Sequence, residues 1–141
     1  MELSYNQRRF IGRAIQLSTL STYERVQIGA LVVSPRGVVI GQGFNQPKSH
    51  PMQYRYNNRA GRLAPRHAIH AEISAIANCR ANPEGSTLYV GRLSREGTTA
   101  MCRPCAACAL AIQDSGIVGI YYTSPKGVHH CSIEEIIHGH R

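Results

Sequence analysis

The chain has 141 residues, 43% of them hydrophobic, which suits one packed domain over 1–141 and excludes a disordered chain. No apolar run approaches the length that crosses a bilayer, so no membrane partner is expected. A formal net charge of +8 favours anionic partners such as nucleotides or nucleic acid.

The opening stretch from Met1 to Phe10 is polar and has no apolar signal core, so a cytoplasmic protein is the expectation. The five cysteines are an odd number. In a reducing compartment a Cys-x-x-Cys pair reads as a metal or redox motif before it reads as a disulfide.

Residues 4–20 are predicted to form a helix. Phe10, Ile11, Ala14, Ile15 and Leu17 fall at helical spacing, Arg8, Arg9, Arg13 and Gln16 take the other faces, and Ser4 suits the N-cap. Residues 28–33 and 38–44 are apolar runs around a Ser34-Pro35-Arg36-Gly37 turn, which predicts an antiparallel hairpin. The first run lacks polar alternation and is expected to be covered on both faces.

Residues 45–66 carry Lys48, His50, Tyr54, Arg55, Tyr56, Arg59, Arg62 and Arg66 without apolar periodicity. They read as a long basic loop with aromatics interleaved, a kind of segment that in compact domains is often functional. A helix is predicted from His67 or Ala68 to Cys79, a strand over 87–90, and a polar excursion over 91–103. A further helix runs to Gln113, with Pro104 in its first turn and Gly116 as a left-handed cap. A strand over 117–122 follows, then a last helix over 133–137 capped by Ser132. Helices alternating with strands after a hairpin predict a layered α/β domain with a mixed sheet. His129, His130, His138 and His140 read as an exposed polar tail, and Cys79 and Cys131 as buried small hydrophobes.

Two stretches stand apart: His70-Ala71-Glu72 and Pro104-Cys105-Ala106-Ala107-Cys108. Each can open a helix. If the two helix starts meet, His70, Cys105 and Cys108 supply three ligands of a tetrahedral Zn2+ ion and leave one position open, as catalytic sites do. A helix N-terminus favours the thiolate form that binds metal. Glu72, two residues past His70, can reach a water acidified by the metal and shuttle its proton. Other readings stand beside this one. Cys102 could close a structural zinc site as a fourth ligand, the Cys-x-x-Cys pair could be a redox pair, and His70 and Cys108 could be core residues.

On these residues the sequence resembles the zinc-dependent cytidine and deoxycytidylate deaminase superfamily, whose pattern is H-x-E with P-C-x-x-C. The likeness runs from about Val26 to Tyr122. It takes in the 28–33 run, Gly41-Gln42-Gly43-Phe44-Asn45, the 70–76 stretch, the 85–90 stretch and the 104–108 stretch. It implies a three-layer α-β-α sandwich around a mixed five-stranded sheet, with a fifth strand near Gly127-Val128-His129-His130. It also implies one catalytic zinc per chain, hydrolytic deamination with Glu72 carrying the proton, and a homo-oligomer from dimer to hexamer. Asn45 matches a position that binds sugar or base, where the plain alternative is a turn residue, and the backbone near Ala71 and Cys105 would bond the ring edge.

His70, in place of a cysteine, resembles the deoxycytidylate and tRNA adenosine branches. Arg103 stands where many relatives carry an acidic residue, and the 91–103 segment is longer than usual. The first expectation for substrate is dCMP, its phosphate held by Lys48, Arg55, Arg59, Arg62 and Arg66 and its base stacked on Tyr54 or Tyr56. The second is a cytosine or adenine base in single-stranded DNA or RNA, including tRNA, held by the same segment and favoured by the charge. A non-catalytic zinc-stabilised nucleic-acid-binding module is the third. Some deoxycytidylate deaminases carry an extra structural zinc near the positions of His50 and His67. Without further cysteines nearby, these two read as loop histidines.

Overall fold

The structure is a computed structural model that describes residues 2–23, 25–61 and 68–139. Helix α1 (Tyr5–Ser18) starts at Ser4, whose side chain accepts the Gln7 N–H while Gln7 reaches back to the Ser4 N–H. This reciprocal pair satisfies two otherwise orphaned donors. Strands β1 (Ile28–Val33) and β2 (Val39–Phe44) form the expected hairpin. Helices α2 (Pro51–Arg59) and α3 (Ala71–Ala77), strand β3 (Thr87–Arg92), helix α4 (Ala106–Asp114), strands β4 (Gly119–Ser124) and β5 (Gly127–Ser132), and helix α5 (Ile133–His138) follow.

The sheet runs β2-β1-β3-β4-β5. Only β3 and β4 pair in parallel; the other neighbours are antiparallel. The parallel pair is joined through α4, as a parallel connection requires. On one face, Phe10, Ile11, Ala14 and Leu17 of α1 pack on Leu31, Val33 and Tyr89. On the other, α3, α4 and α5 bury Ile73, Ile112 and Ile136 against Ala30, Val32, Leu88, Val90 and Ile120. Covered on both sides, β1 has the continuous apolar character that its sequence shows. The three-layer α/β sandwich and its fifth strand match the expectation.

Glycines let the layers close. Gly29 and Gly91 pair across β1 and β3, and a Cβ on Gly91 would lie 2.7 Å from Ile15 Cγ1 and 2.8 Å from its backbone N. On the opposite face, a Cβ on Gly43 would lie 2.5 Å from Ser74 Oγ and 2.6 Å from Ala75 N. The α1 and α3 backbones therefore ride directly on the sheet.

Four expectations need correction. Residues 51–59 form a helix, not a loop. His50 caps it by accepting the Met52 N–H on Nδ1 at 3.1 Å, and Pro51 fills its first turn. Its inward residues are Gln53, Tyr56 and Asn57, so it lacks the apolar stripe that marks a helix in sequence. Helix α3 begins at Ala71, because Gln46 and Ile69 exchange backbone hydrogen bonds and hold the preceding residues extended. Pro104 precedes the α4 cap, which is Cys105. His129 and His130 lie in β5: His129 stacks on Tyr122 and hydrogen-bonds Ser124 Oγ, and His130 packs on Tyr121. Arg62, Arg66, His67 and His140 lie outside the described residues.

Candidate active site

The N-termini of α3 and α4 meet. His70 caps α3 and Cys105 caps α4, both with extended backbone and without a side-chain capping bond. Cys108 lies one turn into α4. His70 Nδ1 stands 3.3 Å from Cys108 Sγ and 3.5 Å from Cys105 Sγ. The three donor atoms all fall within 4.8 Å of one another. Around a tetrahedral zinc with ordinary bond lengths, nitrogen and sulfur ligands stand about 3.5 Å apart. The donor set and its spacing therefore fit such an ion, and three protein donors leave a fourth position for water or substrate. Among the described residues this is the one group of histidine, cysteine and acidic side chains that could hold a metal.

Glu72, in the first turn of α3, is 4% exposed. Burial pushes its carboxyl up to about 7, against the pull of neighbouring His70. The Cys105 thiol is driven down to about 3, first by its hydrogen bond with Cys108 and then by His70, with burial opposing. The cluster thus favours a thiolate, and Glu72 is a carboxyl able to take and give a proton near neutral pH.

Cys102 takes no part in the cluster. It is buried, and its thiol reaches Val90 O at 3.3 Å and Thr123 Oγ1 at 3.2 Å. Burial raises it to about 11, which suits a neutral thiol. The fourth-ligand alternative finds no support in this geometry.

His70, Cys105 and Glu72 line a cavity of about 350 Å³, together with Asn45, Asn57 and Ala71. Met101, Cys102 and Arg103 complete one wall, so the long 91–103 segment does border the site. Arg103 is exposed and donates from Nη2 to Glu135 O at 3.3 Å. Asn45 is placed here as expected, but its amide is engaged. Its Oδ1 accepts the Ile28 N–H at 2.9 Å and its Nδ2 donates to Val26 O at 2.7 Å, which ties the end of β2 to the entry of β1.

Of residues 45–61, Asn45 and Asn57 line this cavity, and the cations and tyrosines do not. Lys48, Tyr54, Arg55 and Tyr56 are all absent from the described lining. Tyr54 Oη donates to Ser49 Oγ at 3.3 Å, and Arg55 is exposed on α2. Tyr56 is 4% exposed and donates to Asp114 Oδ2 at 2.9 Å. Arg59 pairs with the same carboxylate oxygen and stacks over the Tyr56 ring. Once 51–59 winds into a helix, Tyr56 turns inward and its partner is α4. The base-stacking expectation for Tyr56 is therefore corrected.

What the sequence reading missed is Gln53 and Asn57. Gln53 Oε1 accepts the His70 N–H at 2.9 Å, and Gln53 Nε2 donates to Asn57 Oδ1 at 2.9 Å. The signal was present as an i, i+4 amide pair following a His-Pro helix start.

A family model described as the cytidine and deoxycytidylate deaminase zinc-binding region matches residues 4–124. The chain belongs to this family. A deoxycytidylate deaminase from Mycobacterium phage D29 is 32% identical over 129 residues, spanning 80% of this chain and 90% of that protein. The crystal structure of the dCMP deaminase from cyanophage S-TIM5, in complex with dCMP and dUMP, matches with a TM-score of 0.59 at 22% identity. It covers 86% of this chain and 83% of that one. A cytidine deaminase from Burkholderia pseudomallei gives a TM-score of 0.62 at 18% identity, covering 95% and 96% of the two chains. These structural matches establish the cytidine deaminase-like fold, and the family makes the protein a hydrolytic deaminase. No helix among the described residues is long and apolar enough to cross a membrane.

Proposed function

We propose that this deaminase is zinc-dependent and acts on a cytosine nucleotide, converting dCMP and water to dUMP and ammonia. The observation that carries the reading is the cavity in which buried Glu72 stands beside the His70–Cys105–Cys108 donor set. Its volume of about 350 Å³ falls in the range of small-molecule sites. The 32% identity to a phage deoxycytidylate deaminase supports the choice of base, sugar and phosphate.

His70, Cys105 and Cys108 would hold the zinc ion. An ion bound there supplies Lewis acidity, which makes water a usable nucleophile near neutral pH. The chain's own residues do the rest. Glu72 takes a proton from the water that adds to C4 of the pyrimidine and delivers it to N3. A proton then passes through the same carboxylate to the amino group, which leaves as ammonia. The raised pKa of Glu72 suits a group that must both take and give a proton at neutral pH. The backbone around Ala71 and Cys105, both in the cavity wall, would hydrogen-bond the ring edge. The protein is proposed to act as a homo-oligomer.

A second reading, deamination within single-stranded nucleic acid, draws on the net charge of +8. It draws also on a groove beside β2 lined by Arg9, Arg13 and Arg80, which a single phosphate does not require. Ammonia release from dCMP, CMP, cytidine, dAMP and a single-stranded oligonucleotide, each incubated with the zinc-loaded protein, ranks the readings. Turnover of dCMP above all others is expected; turnover of the oligonucleotide alone would overturn the first reading. Glu72→Ala should abolish turnover while zinc stays near one per chain.

A further inference from the structure

Asn57 is buried to 5% exposure, lines the cavity and belongs to neither the donor set nor the proton path. The orientation of its amide follows from a chain of hydrogen bonds with a fixed direction. The His70 backbone N–H can only donate, so the Gln53 atom that faces it at 2.9 Å must be the carbonyl oxygen Oε1. Gln53 therefore presents its NH2 to Asn57 at 2.9 Å, and the Asn57 atom that receives it must be Oδ1. This leaves the Asn57 NH2 as the group turned from Gln53 toward the cavity. A backbone N–H thus settles an orientation that two amides alone would leave open.

The other amide in the cavity wall, Asn45, is already bonded to Val26 O and the Ile28 N–H. Among the described residues the Asn57 NH2 makes no hydrogen bond of its own, and in the cavity wall a ligand or water can satisfy it. From this geometry we infer that Asn57 is a specificity residue, whose Nδ2 donates a hydrogen bond to an oxygen acceptor of the nucleotide. That acceptor is either an oxygen of the base or sugar, or an oxygen of the 5′-phosphate. The inference rests on the nucleotide reading proposed above. It also assigns Gln53 a positioning role, since Gln53 both holds His70 and sets the polarity of Asn57.

The test uses the zinc-loaded protein, with calorimetric binding of the products dUMP and deoxyuridine and steady-state turnover of dCMP. Turnover of dCMP by the wild-type protein tests the nucleotide reading on its own. Asn57→Asp keeps the oxygen that accepts from Gln53 and replaces the donor with a second acceptor, which also carries charge. Loss of one hydrogen bond to a neutral acceptor should weaken binding by about tenfold, and to a phosphate by up to about a hundredfold. A loss shared by dUMP and deoxyuridine assigns the acceptor to the base or sugar; a loss confined to dUMP assigns it to the phosphate. KM for dCMP should rise in step with the binding loss, with zinc content unchanged. Gln53→Glu is the second variant. Its carboxylate still accepts from His70 but now also accepts from Asn57, so the Asn57 amide turns over and offers oxygen to the cavity. It should reproduce the binding defect with residue 57 intact. Wild-type affinity for both products in both variants, alongside normal dCMP turnover, would overturn the inference and leave the nucleotide reading standing.

Discussion

The Gln53 side-chain carbonyl accepts the His70 backbone N–H at 2.9 Å, so α2 holds the residue that opens the H-x-E stretch. Gln53 is itself only 2% exposed. Gln53→Leu keeps the volume but leaves the His70 N–H and Asn57 Oδ1 without their partner. An unsatisfied buried polar group costs about 1–3 kcal/mol, and a lost support behind a metal ligand commonly costs about 10–100-fold in metal affinity. Urea unfolding of the variant should show a lower midpoint, and chelator competition should strip its zinc more readily. An unchanged zinc affinity would mean that His70 is held by α3 alone.

Cys102 and Cys108 make a sharper contrast. Both are buried, yet Cys108 Sγ stands 3.3 Å from His70 Nδ1 while Cys102 is turned to Val90 O and Thr123. Cys102→Ala should retain about one zinc per chain by elemental analysis, with a modest loss of stability from the vacated thiol. Cys108→Ala should lose most of its zinc. If Cys102→Ala loses zinc to the same extent, the donor set has four members and the proposed open position does not exist.

The parts of this site that were legible in sequence are those where chemistry restricts residue type. Only a few side chains bind zinc, and only a short spacing puts two of them at one helix start, so the His70, Cys105 and Cys108 cluster was expected from these residues and the resemblance they carry. The strands were legible because both faces of β1 and β3 are covered, which demands apolar runs. Helix α2 was not, because it packs by hydrogen bonds. Gln53, Asn57 and Tyr56 bury polar atoms against His70, one another and Asp114, and no hydrophobic period records that. Misreading 51–59 as a loop displaced the substrate contacts as well. Lys48 and Arg55, taken to face the nucleotide, are exposed, Arg59 and Tyr56 turn to Asp114 of α4, and Asn57, which lines the cavity, was overlooked.

Two glycines, one under α3 and one within α1, give mutations of opposite sign. A Cβ at Gly43 would meet the Ala75 backbone N at 2.6 Å, an atom that cannot swing aside as a side chain would. Gly43→Ala must push α3 off β2, at about 1–3 kcal/mol for an overpacked site. Because α3 carries Glu72 and is capped by His70, deaminase turnover should fall along with the thermal midpoint. Gly12 lies inside α1, and a Cβ there meets nothing within 4 Å. Gly12→Ala should stabilise the protein by about 0.5–1 kcal/mol through the helix interior alone and leave turnover unchanged. Calorimetric melting of both variants checks the pair.

The join between α2 and α4 should make stability depend on pH in the acid range. Asp114 Oδ2 receives both Arg59 and the Tyr56 hydroxyl. The Arg59 guanidinium, followed by the Tyr56 hydrogen bond, holds the Asp114 carboxyl below its ordinary value. The folded state thus binds its proton less readily than the unfolded chain does. The stabilisation is fully present above the unfolded-state value, near pH 4, and drains away as pH falls through the lower folded-state value. Asp114→Asn removes the titration. The wild-type protein should be more stable than the variant at pH 7, and the gap between their urea midpoints should close as pH drops below about 4. Both side chains of the ion pair are partly exposed, so the gap should be small and should narrow in high salt. Glu135 has its pKa lowered in the same direction by its bonds to Ser132 at the start of α5. It titrates in both proteins and cancels from the comparison. A gap that persists undiminished at pH 3 would assign the effect of the substitution to packing on α4 and not to the carboxylate charge.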